Sequence, residues 1–138
     1  MGMRTLLALT LLILVGCAPL ADTAQTAPSF DGTDWVLTAM SGATLVADSK
    51  ITLKFEQGSA SGSAGCNQYR STYTTNGSKL EFGITSSTKR ACLAQAMNVQ
   101  ETAYLGALTK VAAYEISADR LTLRDGAGST LLEFERAR

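Results

Sequence analysis

Histidine is absent from the 138 residues of this chain. Its absence removes the side chain that most often acts as a general base near neutral pH and that most often binds metal ions. It also excludes the Ser–His and Cys–His pairs of many nucleophilic enzymes. We therefore expect a protein that is not an enzyme, with no catalytic residues, no metal site and no cofactor. The carboxylates are scattered, as solubility alone requires: Asp48, Glu56, Glu81, Asp119 and Asp125.

An excess of charge of either sign is also missing. The 12 Lys and Arg residues balance the 12 Asp and Glu residues, and acids and bases are interspersed. Proteins that bind nucleic acid usually carry clustered basic residues on one face. We therefore expect no nucleic-acid partner.

The sequence has a short apolar run at its N-terminus but not one that suits a permanent membrane helix. The run covers residues 6–15 and follows Arg4, whereas a membrane-spanning helix needs about 20 residues. This pattern is typical of a secretory signal. The run ends in Leu14-Val15-Gly16-Cys17, which resembles a bacterial lipobox. The alternative is an ordinary signal peptide with an incidental cysteine.

The lipobox resemblance implies cleavage before Cys17 and acylation of that cysteine with chains such as palmitate. Each buried methylene of an acyl chain contributes ~0.8 kcal/mol, so two or three chains hold a small domain at a membrane. Residues 1–16 would be the signal peptide, residues 17–29 a lipidated tether, and residues 30–138 a single domain. Ala18 stands where lipoproteins of the inner membrane usually carry Asp. We therefore expect a protein anchored in the outer membrane of the bacterial cell envelope and facing the periplasm.

Two cysteines remain after Cys17 is assigned to the lipid. Cys66 and Cys92 enclose 25 residues, and an even pair in an oxidising compartment favours a disulfide. Such a bridge would add ~3.5 kcal/mol of stability in the chain-entropy account. A pair of free thiols is the alternative, because Lys89 and Arg90 could lower the pKa of Cys92. Two thiols without histidine fall short of a zinc site.

Most of the domain alternates apolar and polar residues with a period of two, which predicts β-strands. Asn76-Gly77 predicts the turn of one hairpin, residues 124–129 predict another, and the glycine-rich residues 58–65 predict a strand with bulges or bends. The fold class is therefore mainly β with one helix (α+β), as a curved antiparallel sheet or open barrel packed around an amphipathic helix. The expected apolar strand positions are Trp35, Leu37, Ile51, Leu53, Phe55, Leu80, Phe82, Ile84, Ala112, Tyr114, Ile116, Leu121, Leu123, Leu132 and Phe134.

The helix is predicted in residues 96–111, where Met97, Tyr104, Leu105 and Leu108 have helical spacing. We expect these side chains to fill the core, with a ligand pocket at Met97 and Tyr104 as the alternative. Glu101 lies near the same stripe. We expect its carboxylate to pair with a nearby base at the edge of the stripe.

Six motifs follow one another in a fixed order over residues 30–136. They are W-V-L from Trp35, F-x2-G at 55–58, G-C-N-x-Y at 65–69, Y-x3-G at 73–77, S-T-K-R-A-C at 87–92 and E-x2-Y-L-x2-L at 101–108. The ordered set resembles the META domain family, which was formerly a domain of unknown function and which includes a heat-shock-induced bacterial lipoprotein. Where the family typically has Arg-Met before the second cysteine, this chain has Lys89-Arg90.

The resemblance implies a disulfide between the paired cysteines and a barrel-like antiparallel sheet with one helix. It also implies a likeness to a lipid-binding pilot lipoprotein of type III secretion, without an established reaction. Asn67, Tyr69 and Arg70 would be mainly structural, with Asn67 satisfying backbone groups beside the bridge and the Tyr69 hydroxyl facing outward.

The expected function is that of a monomeric binding or scaffold module in envelope maintenance, stress response or secretion. Its partners would be the membrane, through the N-terminal lipid, and an envelope protein or a lipid; the ligand-binding residues remain unknown. The alternatives are a periplasmic inhibitor of lysozyme or a peptidase, acting through residues 86–92 or 124–129, and a lipid-binding pilot-like protein. Because large side chains are numerous, we expect any lipid to bind weakly at an open end of the barrel.

We predict that Cys17→Ser leaves full-length, unprocessed protein, because the signal cleavage implied by the lipobox requires the acylated thiol. Incorporation of labelled fatty acid into the wild-type and mutant proteins checks this. Normal processing and membrane retention of the mutant would contradict the lipid assignment.

Overall fold

The computed structural model describes residues 29–138, so the predicted signal peptide, Cys17 and the tether up to residue 28 lie outside the described residues. The described part contains nine strands and one helix. The strands are β1 (Thr33–Met40), β2 (Thr52–Glu56), β3 (Ser59–Ser63), β4 (Gln68–Asn76), β5 (Lys79–Phe82), β6 (Ser86–Ser87), β7 (Ala113–Ser117), β8 (Arg120–Arg124) and β9 (Thr130–Arg136), and the helix α1 spans Gln95–Leu108.

The strands form one antiparallel sheet that closes on itself. Neighbouring strands follow the order β3-β2-β1-β9-β8-β7-β5-β4, and pairing of β3 with β4 completes a barrel of these eight strands. The short strand β6 pairs with β4 beyond the end of β5. The prediction of a mainly β fold with one helix is confirmed, and the barrel is closed rather than open.

The seam between β5 and β7 is the weakest junction of the barrel. A single register pair, Lys79 with Ala113, joins the two strands. Two flanking backbone hydrogen bonds support it, from Leu80 to Ala112 (3.3 Å) and from Tyr114 to Ser78 (2.9 Å). The other junctions of the eight-stranded barrel have three to five register pairs each. The pairing between β5 and β7 therefore does not extend towards β6.

Alternating side chains place the core inside the barrel, as the period-two pattern predicts. Leu53 and Phe55 of β2 are fully buried, whereas Thr52 and Lys54 between them are partly exposed. The predicted hairpin joins β4 to β5, but its two turn residues are Gly77 and Ser78, because Asn76 still pairs with Lys79, and Gly77 has the positive φ (+60°) that glycine readily adopts. The largest fully buried side chains are Trp35, Tyr104, Phe55, Phe134, Leu53, Leu80, Leu108, Leu121, Leu123 and Leu132.

The glycine-rich residues do not produce bulges within β3, although the chain bends at Gly65 (φ +107°), as the alternative expectation has it. β3 keeps a continuous register with both β2 and β4. Ala60 is fully buried, and a Cβ at Gly62 would overlap the carbonyl oxygen of Thr52. Small residues are needed here because the neighbouring backbone approaches β3 closely.

The helix covers one end of the barrel. In an antiparallel meander alternate connections lie at the same end, which places the β1–β2 and β3–β4 connections together. The side chain of Gln100 in α1 accepts a hydrogen bond from the Val46 amide of the first connection (2.6 Å). Gly65 of the second connection lies against Gln100 and Met97. We refer to this end as the helix end.

The opposite end is filled by Phe30, which sequence reasoning did not assign to the core. Its ring lies 4.5 Å from that of Phe55, 4.3 Å from that of Tyr114 and 6.1 Å from that of Tyr73, measured between centroids. Only 4% of Phe30 is exposed. We refer to this end as the Phe30 end, and the chain enters the barrel there from residue 29.

Ile84 contradicts the predicted apolar face of its strand. It is 96% exposed, because β5 ends at Phe82 and pairing with β4 resumes only at Ser86. Gly83 still donates to the Thr72 carbonyl (2.9 Å), and a Cβ there would overlap the Thr72 hydroxyl, so residues 84–85 are the ones that interrupt the ladder. One extra residue on this side of β4 shifts the alternation of inward and outward side chains and turns Ile84 outward.

Within residues 29–138, no helix has the length and apolar character needed to cross a membrane.

Candidate functional site at the helix end

A disulfide joins the β3–β4 connection to the segment that leads into α1. Cys66 and Cys92 are bonded, with their Cα atoms 5.9 Å apart and 26 positions apart in sequence. The disulfide expected from the sequence is therefore present, and the free-thiol alternative is wrong for this structure. Glu101 places a carboxylate oxygen within 4.8 Å of both sulfurs. Because sulfurs in a disulfide are not thiolates, the three residues do not form a metal site in this state.

Asn67 is the centre of a buried hydrogen-bond network beside this disulfide. Its backbone amide donates to Oε2 of Glu101 (2.7 Å), and its Nδ2 donates to Oε1 of Glu101 (2.8 Å) and to the Arg90 carbonyl (3.2 Å). Its Oδ1 accepts from the Thr88 hydroxyl and from the Arg90 amide, both at 2.8 Å. Both side-chain donors and both acceptor positions of the amide are thus used. The expected structural role of Asn67 is confirmed.

The expectation that the Glu101 carboxylate pairs with a nearby base was wrong. Among the described residues Glu101 forms no ion pair, and both of its oxygens accept hydrogen bonds from Asn67. Two N–H donors aimed at one carboxylate satisfy it without a base. Glu101 therefore fastens α1 to the β3–β4 connection.

Tyr69 and Tyr104 form a second buried link between the sheet and α1. Their hydroxyl oxygens are 2.7 Å apart, and Tyr69 also donates to the Thr52 carbonyl (2.9 Å). The Tyr104 hydroxyl must therefore donate to that of Tyr69. Burial raises the pKa of both tyrosines well above the ordinary value. The expectation that the Tyr69 hydroxyl faces outward was wrong, because Tyr104 provides a buried partner for it.

The helix buries a narrow stripe at a spacing of four residues: Gln100, Tyr104 and Leu108. Sequence reasoning predicted Tyr104 and Leu108 in the core but missed Gln100, which is only 3% exposed. Its amide donates to the Ser49 hydroxyl (2.9 Å) in the β1–β2 connection. Its burial could have been predicted from its place four residues before Tyr104, which puts both side chains on the same face of the helix. Met97 and Leu105, also predicted in the core, are only partly buried.

The surface around this network is open and carries unpaired positive charge. Arg70, Lys89 and Arg90 are exposed, and their side chains make no ion pair or hydrogen bond within the described residues. The structural part that the resemblance implied for Arg70 is therefore seen in its backbone pairing with Ser61 and Ser86 and not in side-chain hydrogen bonds. Leu93 and Val99 are also exposed at this end.

Two grooves flank α1. One, of about 500 Å³, separates α1 from the β1–β2 connection. The other, of about 430 Å³, separates α1 from residues 87–91. Both are surface features rather than entrances to the barrel interior. The carboxylates Asp48, Glu56, Glu81, Asp119 and Asp125 belong to different loops and strands and do not line either groove.

Comparison with known proteins agrees with this architecture. The sequence model of the META domain matches residues 28–138. The chain belongs to the META domain family. No functionally curated protein is significantly similar to it in sequence.

Solved structures share the fold of this META domain. An NMR structure of a protein from Burkholderia xenovorans is 31% identical, with a TM-score of 0.64 over 85% of this chain and 96% of that one. A second NMR structure is 20% identical, with a TM-score of 0.61 over 77% and 90% of the two chains. A crystal structure of a DUF4847 family protein from Bacteroides vulgatus is 14% identical, with a TM-score of 0.52 over 77% and 93%. The last two likenesses concern the fold alone.

We predict that Tyr69→Phe destabilises the domain more than Tyr104→Phe. Removal of the Tyr69 hydroxyl leaves two buried groups without their partner, the Thr52 carbonyl and the Tyr104 hydroxyl, and should cost about 2 kcal/mol. Removal of the Tyr104 hydroxyl leaves the bond from Tyr69 to Thr52 intact and should cost about 1 kcal/mol. Chemical denaturation at pH 7 checks the order.

The buried hydroxyls of Tyr69 and Tyr104 should also make the domain less stable at alkaline pH. A raised pKa in the folded state means that the stabilisation is complete below about pH 10, the unfolded tyrosine value, and is lost as the pH rises above it. Burial and the neighbouring Asp31 also raise the pKa of Tyr73, but this residue is only partly buried, so Tyr73→Phe should leave most of the alkaline loss of stability in place. In the denaturation experiment at pH 7, equal losses of stability for Tyr69→Phe and Tyr104→Phe would contradict the assigned hydrogen-bond directions, from Tyr104 to Tyr69 and from Tyr69 to Thr52.

Proposed function

We propose that this META domain is a lipid-anchored, non-enzymatic binding module of the bacterial envelope that engages a protein partner through its helix end. The observation that carries the proposal is the filled interior of the barrel. Large side chains pack the interior, α1 covers one end, and Phe30 fills the other. Because side chains fill the interior, a partner would bind to the surface of the barrel rather than in a cavity.

The point where the chain enters the barrel supports the helix end as the free face. Phe30 docks at the opposite end, and Cys17 precedes it by 13 positions. If Cys17 carries the lipid, the anchor joins the domain at the Phe30 end and leaves the helix end free for a partner. The exposed side chains of Leu93 and Val99 would then be open to contact.

Rigidity at the helix end also favours binding. The disulfide, the Asn67 network and the bonds of Gln100 hold three separate segments in one arrangement. A surface that is already ordered loses less conformational entropy when a partner binds. The non-enzymatic part of the proposal rests on the lack of histidine and on the engagement of Glu101 by Asn67. A role in envelope maintenance, stress response or secretion remains a prediction.

A second candidate is an inhibitor of a hydrolase, which the loop 88–91 favours. Asn67 bonds the amide and the carbonyl of Arg90, and the disulfide follows at Cys92, while Lys89 stays exposed. Inhibitors of peptidases commonly present such a preorganised loop. Loss of lysozyme or trypsin-like peptidase activity on addition of the purified chain would favour this candidate.

The proposal is tested by site-specific photo-crosslinking of the full chain in its own envelope. A crosslinking residue at Val99 or Leu93 should capture the same envelope protein, because both positions are exposed at the helix end. The matched control is Ser78, which is exposed in the β4–β5 turn at the Phe30 end and should not capture that protein.

Two outcomes would contradict the proposal. One is capture of the same protein from Ser78 but from neither helix-end position. The other is a stoichiometric, submicromolar phospholipid complex of the purified chain in native mass spectrometry, since tight lipid carriage needs an interior that the packed core does not provide.

A further inference from the structure

The segment that contains β6 leaves one edge of the sheet unpaired. β6 pairs with β4 through Ser86 with Arg70 and Ser87 with Tyr69, and the Thr88 amide donates to the Gln68 carbonyl (3.0 Å). Successive residues of an antiparallel strand direct their backbone groups to opposite sides. The N–H and C=O groups of Ser87, like those of Thr85, therefore point away from β4. We refer to residues 84–88 as the β6 edge.

No strand of the described chain covers the β6 edge. β7 closes the barrel on this side, but its register with β5 is limited to one pair, Ala113 with Lys79 at the start of β5. The backbone groups of Thr85 and Ser87 make no hydrogen bond to other elements within residues 29–138, and the buried Thr85 hydroxyl also lacks a partner there. The groove of about 430 Å³ separates the edge from α1. An extended chain thus has both space and unpaired backbone groups to meet.

The β6 edge also lacks most of the features that usually protect such edges. Proteins protect edge strands with short length, proline, charged side chains, bulges or a covering element. The β6 edge is short, follows a bulge and is bordered by Lys89, but within residues 84–88 it has no proline and no charged side chain. Ile84 is instead 96% exposed at one end of the edge.

The other end of the β6 edge is positively charged. Lys89 and Arg90 follow it directly and line the groove, and Arg70 lies beside Ser86 on β4. Glu101 is the acidic residue that lines the groove, and Asn67 already occupies its oxygens. The local charge is therefore complementary to an acidic ligand.

We propose that the β6 edge binds an extended segment of a partner protein by β-strand addition. Backbone groups of the segment pair with Thr85 and Ser87, an apolar side chain covers Ile84, and an acidic side chain lies beside Lys89 and Arg90. This form of recognition takes its affinity from main-chain hydrogen bonds and its specificity from alternate side chains. The inference rests on the proposed function and gives it a site and a ligand chemistry.

The test uses the isotope-labelled full chain in detergent micelles and two end-capped hexapeptides, Asp-Asp-Thr-Val-Thr-Val and its reverse, Val-Thr-Val-Thr-Asp-Asp. The first peptide places its aspartates beside Lys89 and Arg90 when it adds antiparallel to β6, and the second does so when it adds parallel. We expect one of them to shift the Thr85 and Ser87 amide signals and to slow their hydrogen exchange about tenfold. Replacement of both aspartates by lysine should weaken binding about tenfold, because the charges at Lys89 and Arg90 then repel the peptide.

Matched variants separate edge pairing from general attraction. Ser87→Pro removes an outward N–H and should abolish binding. Lys89→Glu, which keeps the backbone unchanged and serves if Ser87→Pro does not fold, should weaken binding of the acidic peptide about tenfold. Lys50→Glu is the control, since this exposed residue precedes β2 and is separated from β6 by β3 and β4.

Several results would overturn the inference. They are failure of both peptides to bind, binding that Ser87→Pro and Lys89→Glu leave unchanged, and signal shifts confined to residues outside the β6 edge. Self-association of the chain through Thr85 and Ser87 would also overturn it, because a second copy would then be the occupant. Failure of the peptides together with crosslinking from Val99 would reject this site alone and leave the proposed function standing.

Discussion

The bonds of Asn67 hold together three parts of the chain that are far apart in sequence: the β3–β4 connection, the segment before α1, and α1 itself. The helix needs them because its own termini contribute little. No side chain caps its first turn, no acidic residue lies in that turn, and no basic residue lies in the last. A helix of 14 residues is marginal in isolation. Its position therefore depends on Glu101, Gln100 and Tyr104, each of which bonds to the barrel or its connections.

The two ends of the barrel have different physical roles. Aromatic packing around Phe30 fills one end, where the Trp35 indole also donates to the Thr33 hydroxyl, whereas a buried hydrogen-bond network and a disulfide organise the other. Apolar packing stabilises a domain but presents little for specific recognition. The hydrogen bonds and the disulfide hold the backbone that carries exposed side chains such as Lys89 and Leu93. This difference between the ends supports the proposal that a partner binds at the helix end.

Local patterns predict much of this fold, and long-range geometry determines the remainder. The alternation around Leu53 and the Asn76-Gly77 turn were sufficient to predict strands and a hairpin, because each signal depends on neighbouring residues. Closure of the barrel depends on the stagger of all eight strands, which no single segment encodes. The exposure of Ile84 follows from one extra residue opposite β4, and the inward Tyr69 hydroxyl follows from Tyr104, 35 positions away. The motifs located Asn67, Glu101 and the cysteines, but not the partner of Glu101, because an asparagine amide and a lysine are equally plausible neighbours in sequence.

A double-mutant cycle between Asn67 and Glu101 tests most directly whether this contact fixes the helix to the barrel. Asn67→Ala, Glu101→Gln and the double variant would be compared with the wild-type chain by chemical denaturation under oxidising conditions. Because both single variants disturb the same charged hydrogen bond, the account predicts a coupling free energy of about 1.5 kcal/mol or more. Additive effects within about 0.5 kcal/mol would show that the two side chains act independently, and would contradict the central role given to Asn67.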